Sequence, residues 1–383
     1  MIQITDKTQC CGCSSCAQRC PKGCISMIQD EEGFLYPQVD ASTCIDCGLC
    51  EKVCPILNQK HTDKPLRVFA AKNPDEAIRK ESSSGGIFTM LAECILREGG
   101  VVFGVRWDKE WNVVHDFIDP LSHLNVSEAL NDLHLFRGSK YVQSDINDCY
   151  QQAEIFLKAG RKVLFSGTPC QIAGLKTYLR KDYDNLLTVE CACHGVPSPG
   201  LWQKYLSEVT KGKSVEEINH RDKRTGWRNY SVVIKSAPSE LSEPHDDNPW
   251  TRAFIKNLTL RPSCHTCAFK TFKSQADLTL ADLWGDKILL PNQNEDKGLT
   301  LVIARSLKAT ELLKNVETIK DYTLQDVVPF NGALVIPPKL NPRRSEFMFR
   351  LQKGESFSEL VSTITKDSFI LRMKIIISKL IRK

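Results

Sequence analysis

From residue 67 onward, apolar positions follow the two periods that separate strands from helices. RVFAAKN (67–73) opens with a short apolar strand. After SSSGG (82–86), Ile87, Met90, Leu91, Cys94 and Ile95 recur at helical spacing, which predicts an amphipathic helix with Cys94 on its apolar face. VVFGVRW and WNVVHDFI (101–107 and 111–118) alternate around DKE and predict a hairpin. KVLFSGTPCQIAGLKTYL (162–179) reads as a buried strand, a turn and a helix, and LLTVECACHGVPSP (186–199) as a strand running into a Gly-Pro turn. Leu187, Val189 and Cys191 share one parity there, which places Cys191 in the sheet's packing. ADLTLADLWG (276–285) and the segment after NQNEDKG (292–298) supply two more strands. Strands alternating with helices predict an α/β domain. Ahead of it, ISMIQDEEGFLYPQVD (25–40) reads as two short strands around a turn, and the polar, proline-ended stretch 57–65 as an interdomain linker.

The 383-residue chain is 42% hydrophobic and 25% charged, values that exclude a disordered or fibrous protein and fit two or three domains. A net charge of +5, dispersed outside the C-terminal tail, gives no footprint for nucleic acid. No stretch approaches the ~18 uninterrupted apolar residues of a spanning helix, and the N-terminal MIQITDKTQC has no apolar core of a signal peptide. The expected location is the cytoplasm.

Cysteine is the abnormal count: seventeen, ten of them within the first 54 residues. In a cytosolic chain such density points to metal rather than disulfides. Cys10, Cys13, Cys16 and Cys20 precede Pro21, and Cys44, Cys47, Cys50 and Cys54 precede Pro55, so C-x2-C-x2-C-x3-C-P occurs twice, 34 residues apart. This is the spacing of a bacterial two-cluster ferredoxin, in which the fourth cysteine of each run ligates the other cluster. The expected sets are Cys10, Cys13, Cys16 with Cys54, and Cys44, Cys47, Cys50 with Cys20. Gly12 and Gly48 let the loops approach the inorganic sulfides. Zinc is the rival, but zinc sites usually draw two separated pairs of ligands. Cys11 and Cys24 fall outside the spacing and read as a bystander and a packing residue. The 1–58 unit would depend on its metal for folding.

In the larger region, the serines before residue 87 read as helix caps or, with Gly85 and Gly86, as a bare N-terminus suited to a phosphate. FRGSKYVQS (136–144) is either a solvated loop or, through Arg137, Lys140 and Tyr141, a holder for a phosphate and a ring. Cys170, at a strand-to-helix turn, is a nucleophile, a metal ligand or a small buried residue. Cys170, Cys193, Cys264 and Cys267 are four thiols able to hold zinc or a third cluster, and the ferredoxin unit tilts the choice to iron. Asp282, at a strand end, reads as a turn residue or a ligand to a ribose or ring nitrogen. His115, His123 and His134 read as structural.

SSSGG, RGSKYVQS, LFSGTPCQIAGL, CHGVPSP, RDKRTGW, RPSCHTC and ADLWGD occur in this order. Together they resemble the coenzyme F420 (deazaflavin) hydrogenase/dehydrogenase beta-subunit family, over roughly residues 66–335. The resemblance implies an α+β protein: a small two-cluster ferredoxin domain (1–58), then a larger α/β flavin- and cluster-binding domain made of the family's N-terminal (66–148) and C-terminal (149–340) regions. It implies FAD, and a third [4Fe–4S] cluster on Cys170, Cys193, Cys264 and Cys267. It implies that Ser83, Ser84, Gly85 and Gly86, with Gly138, Lys140 and Tyr141, line the flavin, and extends this set to Thr168, Asp282 and Lys297. The implied activity is an oxidoreductase passing electrons between a ferredoxin or other electron-transfer protein and an unidentified organic substrate. The rival is a non-catalytic electron-transfer subunit feeding a partner. A flavin beside a cluster converts hydride exchange to single-electron transfer, which agrees with the motifs.

Residues 341–383 form a basic tail. From Lys366 onward six basic residues face one acid, and Phe369, Ile370, Met373, Ile376, Ile377, Leu380 and Ile381 recur at helical spacing. This C-terminal amphipathic helix either docks on its own domain or touches the inner membrane face.

Overall fold

The computed structural model describes residues 1–60, 65–293 and 295–366. The basic amphipathic helix expected after Lys366 lies outside the described residues. The expected hairpin in the N-terminal unit is present: β1 (Ile25–Gln29) pairs antiparallel with β2 (Leu35–Val39). Short helices at Ser15–Gln18 and Leu49–Lys52 carry the third cysteine of each run, Cys16 and Cys50. Their loops repeat one backbone pattern, left-handed at Gly12 and Ser14 in the first run and at Asp46 and Gly48 in the second. The repeat in sequence is thus a repeat in conformation.

The larger domain is built on an eight-stranded mixed sheet. Its strands are β3 (Arg67–Ala71), β4 (Val101–Trp107), β5 (Val113–Ile118), β6 (Val163–Gly167), β7 (Leu186–Cys191), β11 (Leu278–Asp282), β12 (Thr300–Ala304) and β13 (Thr318–Tyr322). The order is β13-β3-β12-β11-β7-β6-β4-β5. The four central strands β11, β7, β6 and β4 run parallel to their neighbours within that group, and antiparallel strands flank them. Their near-continuous apolar runs follow from burial on both faces. The Ile87–Arg97 helix packs on one face through Leu91, Ile95 and Leu96. The Cys149–Lys158 and Pro169–Leu179 helices cover the other through Leu157, Ile172 and Leu175.

Between β7 and β11 the chain adds a second lobe that the periodicity did not reveal. β8 (Val215–Asp222), β9 (Ser231–Ser236) and β10 (Ser239–Pro244) form a separate antiparallel sheet. It shares a core with the Pro199–Thr210, Pro249–Ile255, Arg344–Gln352 and Phe357–Thr365 helices around fully buried Trp202 and Trp250. Among the described residues no helix is long and apolar enough to cross a membrane.

The N-terminal unit is docked rather than tethered. Ser15 Oγ donates to the Gly174 carbonyl (2.7 Å), Thr177 Oγ1 to that of Val53 (2.7 Å) and Ser198 Oγ to that of Glu32 (2.5 Å). Arg19 pairs with Glu154, and Arg344 reaches Glu32 with both terminal nitrogens. Gly33 has φ +83° and its α-carbon faces that of Gly200, so a Cβ would sit 2.6 Å from the partner backbone. Only glycine meets both demands.

Candidate functional site

Three groups of cysteines lie in sequence from the N-terminal unit into the large domain. The inner group is Cys10, Cys13, Cys16 and Cys54. Burial holds the Cys16 thiol well above its ordinary pKa, with the thiols of Cys13, Cys10 and Cys54 adding to it. Burial likewise pushes Cys54 up to about 11. The outer group, Cys20, Cys44, Cys47 and Cys50, lines a small hollow with Cys24 and Met1. There the Ile2 N–H donates to Cys50 Sγ (3.3 Å) and the Asp46 N–H to Cys44 Sγ (3.4 Å). Cys24, expected as packing, is buried with its sulfur 3.3 Å from that of Cys20.

The third group is Cys170, Cys193, Cys264 and Cys267. Burial pushes Cys264 up to about 12, and the neighbouring thiols of Cys170 and Cys267 add to this. Cys193 is raised by burial and by Cys191, Cys264 and Cys170. The Val196 N–H donates to Cys264 Sγ at 3.4 Å. Protonated thiols at this depth must lose their protons to bind metal. Among the described residues no three His, Cys, Asp or Glu side chains close on a single ion. The fold thus offers neighbourhoods of thiols, not a closed ligand cage.

Cys11, expected as a bystander, joins two of the groups. It is buried and packs with Cys13 and Cys170. The Cys11 thiol lowers Cys13 to about 7 and is the largest cause of the lowered pKa of Cys170. Cys11, Cys13, Cys170 and Cys267 share one small core with Phe269.

Cys193 of the third group lines a cleft of about 750 Å³ at the carboxyl ends of β6 and β7, where open α/β sheets bind ligands. Such a volume is ordinary for an organic cofactor or substrate, for which ~300–1,000 Å³ is typical. Ser83, Ser84, Gly86, Gly138, Lys140, Tyr141, Thr168 and Asp282 all line it, as do Cys191 and Cys193. Gly85 is instead packed behind the loop against Thr300. Lys297 is also off the lining: its ammonium, on the exposed side, meets Glu76 at 2.7 Å.

Three expectations about side chains are corrected. The serines do not cap the Ile87–Arg97 helix, whose N-cap is left-handed Gly86 with no side-chain hydrogen bond. Ser84 Oγ donates to the Leu299 carbonyl (2.6 Å), and Ser83 Oγ accepts from Ser139 Oγ (2.8 Å). The helix start is therefore bare toward the cleft, as an anion would require. Cys191 is not in the sheet's packing, because β7 ends there and turns the thiol into the cleft. Cys94 is exposed, one step off the apolar face of its helix.

Lys140 is half-buried at the cleft, and desolvation lowers its ammonium to about 7. Its Nζ donates to the Arg137 carbonyl at 2.8 Å, with no carboxylate paired to it among the described residues. The Tyr141 ring is stacked on His220 and Phe254. Both Asp282 oxygens are engaged, one by Arg221 Nη1 (2.6 Å) and one by Trp227 Nε1 (3.1 Å). Asp282 thus orients Arg221, which lies over the rings of Tyr230 and Trp284 at the cleft wall. Glu190, on the cleft floor, is fully buried and its pKa is raised by that burial. Arg221, Tyr230 and Glu190 were not singled out from sequence, and Trp284 was noted only at the end of the ADLTLADLWG strand. RDKRTGW carried a signal for Arg221, and the lobe that brings it to the cleft is set by long-range packing.

A line of thiol groups ending at a cleft is an arrangement suited to iron–sulfur electron transfer. Residues 160–329 match the family described as the C terminus of the coenzyme F420 hydrogenase/dehydrogenase beta subunit, and residues 9–57 match the 4Fe-4S dicluster domain. The chain thus resembles the F420 hydrogenase/dehydrogenase beta-subunit family over its C-terminal region, with a 4Fe-4S dicluster domain ahead of that region. It is 24% identical over 183 residues to the F subunit of the F(420)H(2) dehydrogenase of Methanosarcina mazei, spanning 45% of this chain and 49% of that protein, so it covers about half of that relative. It is 40% identical over 65 residues to Ferredoxin 7Fe of Hydrogenibacillus schlegelii, covering 16% of this chain and 77% of that ferredoxin. Among solved structures, a chain of the F420-reducing [NiFe] hydrogenase complex from Methanosarcina barkeri aligns with TM-score 0.45 at 16% identity, over 77% of this chain and 91% of that one.

Proposed function

We propose that this chain is a cytoplasmic iron–sulfur flavoprotein oxidoreductase passing electrons between ferredoxin-type [4Fe–4S] clusters and an FAD that exchanges hydride with a deazaflavin or another organic substrate. The observation that carries the reading is the continuity of thiols from the N-terminal unit to the cleft. The outer group leads to the inner one within a single small unit, Cys11 touches Cys13 on one side and Cys170 on the other, and Cys193 lines the cleft. In this reading Cys10, Cys13, Cys16 and Cys54 hold one cluster and Cys44, Cys47, Cys50 and Cys20 a second. Cys170, Cys193, Cys264 and Cys267 hold a third.

When bound, the clusters carry single electrons and the flavin trades pairs of them for hydride. The cleft's chemistry suits a dinucleotide. The bare helix start behind Gly86 and the unpaired ammonium of Lys140 both favour a phosphate. Burial raises the pKa of Glu190, while Ser274, Thr279 and Arg305 hold its carboxyl group. Cys47 of the outer group is exposed and is the natural point of approach for a ferredoxin or another one-electron protein. The relative's place as a dehydrogenase subunit argues for such a partner. A cleft of this volume favours an enzyme with its own substrate over a non-catalytic subunit, which needs only exposed contact surfaces.

Anaerobic purification with iron, sulfide and flavin quantified per chain tests this reading. About twelve irons and one FAD are expected for three cubane clusters and a flavin. About eight irons and no flavin would overturn it and leave a ferredoxin unit joined to a domain without redox chemistry.

A further inference from the structure

Arg261 is fully buried where the N-terminal unit meets the large domain. It immediately precedes the Pro-Ser-Cys264 turn, yet its guanidinium reaches across to the first cysteine loop. Nε donates to the Cys10 carbonyl (2.7 Å), Nη1 to Gln143 Oε1 (3.0 Å), and Nη2 to the Leu35 carbonyl (2.9 Å) and toward Cys10 Sγ (3.7 Å). Its plane lies 4.2 Å from the Tyr36 ring centre. Gly12 is shaped around it, since a Cβ there would sit 2.8 Å from Nη1. Among the described residues no carboxylate pairs with it.

A buried cation without a counter-ion is strongly disfavoured. The acidic groups that interact with Arg261 here include the thiols of Cys10, Cys13, Cys170 and Cys264, which belong to the inner and third groups at once. If those thiols were neutral, the charge would be stranded. If they are metal-bound thiolates, the charge is paired.

On the cluster assignment proposed above, we infer that Arg261 is the shared counter-ion of the inner and third clusters and sets their reduction potentials. Reducing a cluster adds one electron and one negative charge, with no bond broken and no proton required. A fixed positive charge beside it stabilises the reduced form and raises its potential. None of the outer group's thiols is among the hydrogen-bond partners of Arg261, so its potential is set without this charge.

The test is a dithionite titration of the full-length, cluster-loaded protein, followed by electron paramagnetic resonance, in which dithionite is the one-electron donor. Arg261→Gln is expected to make the inner and third clusters at least about tenfold harder to reduce, ~59 mV or more, while the outer signal stays in place. Arg261→Lys, which keeps the charge, restores most of the shift. Gln143→Glu sets a carboxylate against Nη1 without removing the arginine and is expected to shift the same two signals downward, which keeps the test decisive if Arg261→Gln does not fold. Full iron content with unshifted signals in Gln143→Glu, or an equal shift of all three, overturns the inference. Absence of the third cluster from the unaltered protein overturns instead the cluster assignment on which it rests.

Discussion

The inner and outer cysteine groups share one spacing and one backbone pattern, yet they occupy opposite environments. The outer group reaches solvent at Cys47, which is exposed, and the N-terminal amine of Met1 pairs with Asp46 and Glu51 nearby. The inner group is sealed under the large domain, with Arg261 on one side and Cys11 bridging to Cys170 on the other. Spacing therefore specifies what a thiol group can hold, while the surroundings specify what it does there. The same motif supplies an open port at one end of the N-terminal unit and a buried junction at the other.

The sharpest way to break this contrast is to remove the junction. Cys170→Ser or Cys264→Ser is expected to lose about four irons per chain and to stop reduction of the flavin through the N-terminal unit, while far-UV circular dichroism is unchanged. Retention of full iron content would detach the third group from the line. Cys47→Ser should also lose about four irons, but here the third-group signal and flavin content should persist. Reduction by a protein donor should slow far more than reduction by a small diffusible mediator. Equal slowing with both donors would remove the assignment of the outer group as the port.

A third experiment addresses the cleft end of the line. Burial lowers Lys140 to about 7, and an anionic phosphate beside it would restore its charge. FAD affinity should thus be flat below pH 7 and fall as pH rises above it, by up to ~10-fold per unit until the pKa of the complex is reached. Fluorescence titration from pH 6 to 9 measures this, and Lys140→Met should bind more weakly with a flatter profile. An unchanged profile in that variant would place the phosphate elsewhere.

The smallest expected effect concerns stability. His115 lies buried between Ser144 and the Ser166 carbonyl, and burial lowers it to about 4 from an ordinary 6.5. The unfolded chain then binds a proton that the folded chain refuses. Its contribution is complete above pH 6.5 and is lost as pH falls from there toward 4, by roughly 3 kcal/mol in all. Denaturant melts across that window should show a shallower pH slope for His115→Asn than for the unaltered chain.

The sequence was most legible where chemistry requires fixed spacing. Both cysteine runs, the short hairpin between them and the hairpin of β4 and β5 needed only local pattern. Legibility failed where a residue's role depends on distant partners. Arg261 meets Cys10 across 251 positions, and nothing in RPSCHTC indicates that its first residue completes another domain's loop. Cys11 looked idle because its second neighbour, Cys170, is brought to it only by docking. Cys191 was misplaced because parity describes a strand but not the point where the strand ends. The helix before Arg97 was read correctly, but its serines spend their hydroxyls on Leu299 and Ser139 instead of on the helix start.

Iron-edge anomalous scattering from crystals grown anaerobically tests the central claim most directly. The account predicts three separate iron sites: one at Cys20, Cys44, Cys47 and Cys50, one at Cys10, Cys13, Cys16 and Cys54, and one at Cys170, Cys193, Cys264 and Cys267, with flavin density in the adjoining cleft. Iron confined to the N-terminal unit, with zinc or nothing at the third group, would contradict it.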